Sequence, residues 1–184
     1  LLSPVSINTA LWECQKPVIA AVRGYAIGAG NHWAYYADFT IAADNAVFGQ
    51  NGPRVGSPAD GLIPSYLTRV VGAKRAREVW MLCRQYTAGE ALEMGLVNKV
   101  VPLEKLDEEV ERWCLEILDL SPTCLKVLKA SFNADFEYML GTRGRFQRLI
   151  APDWFEGEEV KEAQKAWAER RRPRFGQFRQ RRSG

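Results

Sequence analysis

The sequence is poor in residues that bind metal ions. It contains one histidine among 184 residues, and its four cysteines never form a C-x-x-C pair. Structural zinc sites are built from clustered cysteine and histidine side chains, so we expect no metal site. Cysteines without paired spacing are typical of a reducing compartment, and we expect a cytoplasmic protein in which they are small core residues. These cysteines are Cys14, Cys83, Cys114 and Cys124.

Long hydrophobic runs are also missing. No apolar stretch approaches the roughly 20 residues of a membrane-spanning helix, and the first residues lack the pattern of a secretory signal, so we expect neither feature. With 47% hydrophobic and 26% charged residues, the composition is typical of one globular domain with a sizeable core.

Charge is distributed unevenly along the chain. The formal net charge is +3, but the segment from residue 165 onward holds eight basic residues and a single acid. A basic tail can bind nucleic acid, a lipid surface or ligand phosphates, and it can equally be a solvated or subunit-contacting terminus. No aromatic and basic RNA-binding motif accompanies it, so RNA binding is the less favoured alternative. The basic residues are Lys165, Arg170, Arg171, Arg172, Arg174, Arg179, Arg181 and Arg182.

The most informative stretch is KPVIAAVRGYAIGAG, at residues 16–30. Residues 18–22 are rich in apolar and β-branched side chains, which predicts a buried strand. Three glycines then bracket a predicted tight turn, and a helical pattern begins near residue 31. The first N–H groups of a helix have no intrahelical partner, so this junction can stabilise an oxygen that becomes negative during a reaction. The glycines do not fit the dinucleotide fingerprint G-x-G-x-x-G.

Other patterns predict strands at residues 39–43, 46–48 and 97–101 and helices at 62–71, 74–83, 103–118, 121–132 and 158–170. Thr87 and Glu90 have the spacing of a capping box for a helix over 88–94, with Gly95 ending it.

Three ordered motifs identify a family resemblance. KPVIAAVRGYAIGAG, ADFTIAADNAVFGQNGPRVG and EALEMGLVNKVVP together resemble the crotonase (enoyl-CoA hydratase/isomerase) superfamily. Within it, GQNGPRVGS and AREVWMLCRQY are most similar to 1,4-dihydroxy-2-naphthoyl-CoA synthases and 2-oxocyclohexanecarbonyl-CoA hydrolases. The resemblance implies an α/β fold, with the C-terminal portion of a crotonase-type ββα spiral at residues 1–120. It also implies a helical oligomerisation region with a basic tail at 121–184.

The resemblance implies enolate chemistry on an acyl-CoA, with coenzyme A as part of the substrate and no tightly bound cofactor. The main-chain N–H of Ala29 would be one oxyanion donor, and Tyr25, Gly28 and Gly30 would bind substrate around it. In the family, several strands and the other oxyanion donor precede this motif. We therefore expect further strands to be needed for stability, supplied by more sequence or by a partner chain, in a homotrimer or homohexamer.

Two catalytic glutamates of the hydratases are replaced here. The matching positions are His32 and Gly52, and loss of such proton-transfer groups usually costs 10²–10⁴-fold in rate. Ordinary hydration is therefore disfavoured. His32 is either a catalytic base that titrates near neutral pH or an interior histidine held by hydrogen bonds.

Gln50, Gly52 and Trp80 together resemble the bicarbonate-dependent naphthoyl-CoA synthases. In that interpretation Gly52 leaves space for bicarbonate, to which Gln50 and the Trp80 indole donate hydrogen bonds. The alternative is that Trp80 is a core aromatic residue and Gln50 bonds its own loop. The sequence differs from the synthases at two further positions. Asp60 is shifted by one residue from the synthase aspartate, and Phe155 replaces a synthase tyrosine.

Four functions follow as expectations. The first is naphthoyl-CoA synthase-like C–C bond formation on a cyclic or aromatic acyl-CoA. The others are ring-opening hydrolysis of a cyclic β-keto acyl-CoA, enoyl-CoA hydration or isomerisation, and a non-catalytic relative that binds acyl-CoA or RNA.

Overall fold

The computed structural model of the protein describes residues 7–140 and 145–179. These ranges contain six short strands and nine α-helices, joined by loops and 3₁₀ turns. The strands are β1 (Ile19–Val22), β2 (Tyr25–Ile27), β3 (Phe39–Ala43), β4 (Val47–Gly49), β5 (Gln85–Thr87) and β6 (Lys99–Val101). The helices are α1 (Ile7–Glu13), α2 (Ala29–Tyr36), α3 (Leu62–Val71), α4 (Ala73–Leu82), α5 (Ala88–Glu93), α6 (Leu106–Leu118), α7 (Pro122–Leu140), α8 (Arg145–Ile150) and α9 (Glu158–Ala168).

The strands form two three-stranded sheets. The first has the order β1-β3-β6 and is entirely parallel. In the second, β2 pairs parallel with β4, and β4 pairs antiparallel with β5. Only Arg23 and Gly24 separate β1 from β2, so the chain changes sheet between consecutive strands. This mixed α/β architecture confirms the predicted fold class.

Local sequence signals agree closely with several elements. Strand β3 and helix α3 have their predicted bounds, and both bonds of the capping box between Thr87 and Glu90 are present. Gly95 adopts a positive φ of 77° just beyond α5, as expected for a helix-terminating glycine. Other elements differ from the prediction: β2, β5 and α8 were not predicted, residues 103–105 form a separate 3₁₀ turn before α6, and α7 continues beyond the predicted residue 132 to Leu140.

The core lies between the sheets and the helices that cover them. Phe48, Leu67 and Val79 belong to its larger cluster, and Ile41 and Leu106 belong to a smaller one under α6. These side chains are at most 1% exposed, and burying each of them contributes roughly 2 kcal/mol. Of the four cysteines, only Cys83 is buried. The expectation that all four are core residues is wrong, since Cys114 and Cys124 are exposed on α6 and α7.

The basic C-terminal segment folds back onto the molecule as far as it is described. Arg171 pairs with Glu162 of α9 at 2.6 Å and with Glu169 at 2.5 Å, so part of its charge is neutralised. Phe175 packs against the loop at Gly56. Arg181 and Arg182 lie outside the described residues. No helix in the described ranges is long and apolar enough to cross a membrane.

Candidate active site

The first turn of α2, after the glycine turn that follows β2, contains backbone donors without acceptors in the described part of the chain. Gly28 has φ 61° and ψ −117°, a conformation that favours glycine, and it caps α2. Its N–H donates to the Gly49 carbonyl at 3.0 Å, and its own carbonyl accepts from the His32 N–H at 3.1 Å. Within the described residues nothing accepts from the N–H of Ala29, the first residue of the helix. Gly30 follows in the same first turn.

His32 lies on the first turn of α2 and contacts the loop after β4. Its Nε2 is 3.3 Å from Oε1 of Gln50, and Nε2 of Gln50 is 3.4 Å from the Gly28 carbonyl oxygen. A carbonyl oxygen only accepts, so the Gln50 nitrogen must face Gly28 and its oxygen must face the ring. The His32 Nε2 therefore carries the proton, and Nδ1 keeps its lone pair.

The surroundings of His32 are aromatic and uncharged. Its ring centroid lies 5.5 Å from that of Trp80, 5.8 Å from Tyr35 and 6.4 Å from Tyr36. Burial lowers the pKa of His32 to about 4, and the bond with Gln50 opposes this only in part. Burial also raises the pKa of Tyr35, whose hydroxyl donates to the Ile63 carbonyl at 2.8 Å. The imidazole is neutral at physiological pH.

Gly52 does not leave an open space beside it. A Cβ at this position would lie 2.6 Å from the Ser57 carbonyl oxygen and 3.5 Å from Cζ3 of Trp80. The room that the resemblance reserves for bicarbonate is therefore filled by the chain itself. Gln50 is 1% exposed, and its amide bonds His32 and Gly28. The structure thus gives no support to a bicarbonate site at these residues.

Two buried side chains near the turn have polar atoms without partners in the described part of the chain. One is Trp80, whose indole Nε1 has no acceptor. The other is Asn31, which is fully buried on α2 and whose amide nitrogen and oxygen are both unpartnered. Sequence reasoning missed Asn31, although an asparagine directly after the glycine turn, ahead of an aromatic run, was a visible signal.

The structure places the remaining predicted site residues in other surroundings. Asp60 accepts a hydrogen bond from the Gln147 N–H at 3.0 Å, at the start of α8. Phe155 is 74% exposed and packs edge-on against Trp154, with ring centroids 4.5 Å apart. Tyr25 is 80% exposed on β2. Their roles in substrate binding and catalysis stay predictions.

An open groove of about 670 Å³ begins at Trp80 and runs toward the C-terminal segment. Its apolar lining includes Trp154, Phe175 and Phe178, and Glu159 and Arg179 are its charged members. Within the described ranges no three histidine, cysteine, aspartate or glutamate side chains converge as they would around a metal ion.

Residues 5–180, nearly the whole chain, match the family model described as enoyl-CoA hydratase/isomerase. The chain belongs to the enoyl-CoA hydratase/isomerase family. This confirms the crotonase superfamily as the source of the resemblance. The narrower likeness to naphthoyl-CoA synthases and cyclic-ketone hydrolases is not singled out by the match.

Solved structures of this family have the same fold. A monofunctional enoyl-CoA isomerase from M. smegmatis is 34% identical, with a TM-score of 0.65, over 71% of this chain and 62% of that one. An enoyl-CoA hydratase/isomerase from Pseudoalteromonas atlantica T6c is 27% identical, with a TM-score of 0.80, over 91% and 68%. A methylmalonyl-CoA decarboxylase is 24% identical, with a TM-score of 0.80, over 92% and 66%, and bears on the fold alone. The chain thus spans about two thirds of the length of these family members.

Proposed function

We propose that this protein acts on CoA thioesters and stabilises the enolate that forms when the carbon next to the thioester carbonyl loses a proton. The unpartnered N–H of Ala29, at the mouth of α2, carries this proposal. It would donate to the thioester oxygen, and one such donor is typically worth about 3–4 kcal/mol of the barrier. Family membership supports the substrate class, since the more similar solved structures are an enoyl-CoA isomerase and an enoyl-CoA hydratase/isomerase.

His32 would handle the proton. In the described part of the chain no carboxylate bonds its ring, and Nδ1 is free to accept. Removal of the α-proton by Nδ1 would give an imidazolium and an enolate, with the negative charge on the oxygen at Ala29. Return of the same proton to the γ-carbon of a 3-enoyl thioester would restore neutral His32 and shift the double bond by one position. One base suffices for this isomerisation, whereas hydration calls for an acid and a base.

The pKa of His32 is compatible with this work. A value of about 4 makes the imidazole about as strong a base as the glutamates that usually stand here. Histidine differs from glutamate in the charge that it gains. The neutral ring becomes a cation beside the enolate, and opposite charges attract strongly in a poorly hydrated site. Double-bond isomerisation is the reaction that the geometry supports best.

Carbon–carbon bond formation on an aromatic acyl-CoA is a second candidate. The aromatic groove beside Trp80 favours it, because it offers flat apolar surfaces to a ring. The reaction would use the same enolate at Ala29. It would have to proceed without bicarbonate at Gly52, since the Ser57 carbonyl fills that space. Ring-opening hydrolysis would break a carbon–carbon bond where the second candidate reaction forms one. The same groove is the observation that favours it.

Assembly and location belong to this proposal too. A homotrimer or homohexamer, or a partner chain that contributes further strands, would complete the enclosure around Ala29. We propose a cytoplasmic location from the absence of paired cysteines. RNA binding receives no support beyond the basic residues of the C-terminal segment.

The deciding experiment removes one hydrogen atom from the backbone. Proline is well tolerated at the first position of a helix, so Ala29→Pro deletes the N–H with little change in conformation. The matched control is Ala73→Pro, the same change at the first residue of helix α4, which is exposed. We expect Ala29→Pro to slow deuterium exchange at the α-carbon of butyryl-CoA by about 10²–10³-fold and Ala73→Pro to leave it unchanged. Equal exchange rates in the two variants would overturn the proposal.

Substrate tests then separate the reaction classes. Conversion of trans-3-hexenoyl-CoA to the conjugated isomer, lost in His32→Ala, would support isomerisation. Turnover of o-succinylbenzoyl-CoA without added bicarbonate, in the absence of isomerisation, would support the second candidate. Exchange at the α-carbon that survives intact in His32→Ala would remove His32 from the mechanism.

A further inference from the structure

The side chain of Gln50 forms hydrogen bonds both with the ring of His32 and with the glycine turn that precedes Ala29. Its Oε1 lies 3.3 Å from the His32 ring nitrogen, and its Nε2 lies 3.4 Å from the Gly28 carbonyl oxygen. The same Gly28 carbonyl accepts the His32 backbone N–H at 3.1 Å. These three bonds close a ring through Gly28, His32 and Gln50.

The Gly28 carbonyl belongs to the same peptide group as the Ala29 N–H. A trans peptide is planar, so its carbonyl and its N–H point in opposite directions. Holding the oxygen on one side therefore aims the hydrogen on the other. Gly28 itself is a flexible residue, and bonds to its carbonyl are what restrict rotation of this plane.

We propose that Gln50 is the positioning residue of this site: its amide nitrogen orients the Gly28–Ala29 peptide so that the N–H points out of the helix, and its amide oxygen keeps His32 in the tautomer with the proton on Nε2. The inference rests on the proposed function of Ala29 and His32. It differs from the expectation in which Gln50 bonds an anion, because here both ends of its side chain bond the protein.

The environment favours this role over a loose surface contact. Gln50 is 1% exposed to solvent. It directly follows β4, and the pairing of β4 with β2 and β5 fixes the backbone of that strand. The described groups that contact the His32 ring include Gln50, Trp80, Tyr35 and Tyr36, none of which is a carboxylate, a lysine or an arginine. Among the residues that the structure describes, no charged side chain bonds this ring, so the acceptor supplied by Gln50 sets the tautomer.

The single histidine makes the tautomer directly observable. In the untagged full chain labelled with ¹⁵N, long-range ¹H–¹⁵N correlation spectra at neutral pH report which ring nitrogen is protonated, and every histidine signal belongs to His32. We expect a protonated Nε2 and an unprotonated Nδ1. Protonation on Nδ1 in the unaltered protein would overturn the inference without involving activity.

Two variants separate the two ends of the amide. Gln50→Met removes both bonds, and we expect mixed tautomers and about a 10²-fold loss in α-carbon exchange, with KM nearly unchanged. Gln50→Glu keeps an acceptor for Nε2–H but loses the donor to Gly28, so we expect the tautomer to be retained while exchange still falls. The matched control is Gln164→Met on the exposed face of α9, which should change neither.

The outcomes keep this inference distinct from the proposed function. A pure Nε2–H tautomer in Gln50→Met, folded by circular dichroism, would overturn the positioning role. If that variant does not fold, the unaltered protein and Gln50→Glu still decide the question. Loss of the tautomer in Gln50→Met, together with full exchange activity in Ala29→Pro, would uphold the positioning of His32 and reject the proposed function.

Discussion

A Cβ atom placed on Gly52 would lie 2.6 Å from the carbonyl oxygen of Ser57. The Ser57 N–H in turn donates to the Gly52 carbonyl at 2.9 Å, so the loop is held tightly at both ends. Real Cβ atoms do not approach a backbone oxygen so closely. The glycine is therefore required by the path of the chain, which brings residues 52–57 against Trp80.

Gly52→Ala should reduce stability. The added methyl group must displace backbone, and we expect the free energy of unfolding to fall by about 1–3 kcal/mol in urea titration. Gly89→Ala is the matched control, since a Cβ at Gly89 in helix α5 meets nothing within 4 Å. That change should be neutral or stabilising by up to about 1 kcal/mol. Equal stability of the Gly52 variant and the unaltered protein would mean that the loop is held less tightly than the structure indicates.

Trp80→Phe should affect activity more than stability. The indole Nε1 has no acceptor within the described residues, so its loss breaks no bond there, and we expect the free energy of unfolding to change by less than about 1 kcal/mol. Trp113→Phe is the contrasting variant, because the Trp113 indole donates to Glu109 at 2.9 Å, and its loss should cost about 1 kcal/mol. A loss of stability at Trp80 at least as large as that at Trp113 would contradict this prediction.

His32 should give the protein a distinctive dependence on pH. Burial lowers the pKa of His32 to about 4, against 6.5 for an unfolded chain, so the unfolded state binds the extra proton first as pH falls. Stability from this group is complete above pH 6.5 and declines between about pH 6.5 and 4, by up to roughly 3 kcal/mol. Comparing unfolding curves of the unaltered protein and His32→Gln across this range isolates the effect. Parallel pH profiles would contradict it.

The same pKa governs the expected activity profile. The neutral ring is the base, so kcat/KM for α-carbon exchange should stay level from pH 8 down to about pH 5 and fall as pH passes 4. A fall centred near pH 6.5 would instead indicate a solvated His32. Gln50→Glu provides the control, because a carboxylate acceptor beside the ring should move the fall to higher pH.

The parts of the fold that could be predicted are those with local causes. Strand β3, helix α3 and the Thr87 capping box follow from side-chain period and capping chemistry, and the structure agrees with each of them. Strand β5 was missed because it has three residues with only Tyr86 buried, too short for a period to appear. Its existence depends on pairing with β4, which lies more than 30 residues earlier.

The sequence was sufficient to locate the candidate site, but not to predict how its side chains contact one another. The glycine turn and the resemblance identified Ala29, His32, Gln50 and Trp80, and the structure brings the last three into contact. The two hydrogen bonds of Gln50 to His32 and Gly28 could not be predicted, because they depend on where the Gly28 carbonyl points. The space at Gly52 was misjudged for the same reason, since Ser57 fills it through a tertiary contact.

A buried ion pair joins helix α7 to the first sheet. Lys129 is 6% exposed, and its Nζ lies 2.7 Å from Oδ2 of Asp38 and 2.9 Å from the Lys16 carbonyl oxygen. The same Asp38 oxygen accepts the Val18 N–H at 2.7 Å, just before β1. Contacts of this kind connect the helical region after residue 120 to the strands that carry the glycine turn.

Lys129→Met should therefore be costly, because it leaves the Asp38 carboxylate without its cation. We expect the free energy of unfolding to fall by about 3 kcal/mol, and the double variant with Asp38→Asn to lose less than the sum of the single changes. Lys126→Met removes the same charge from an exposed position of α7 and should stay within about 0.5 kcal/mol. If Lys129→Met and Lys126→Met unfold at the same urea concentration, the two regions are not held together by this pair.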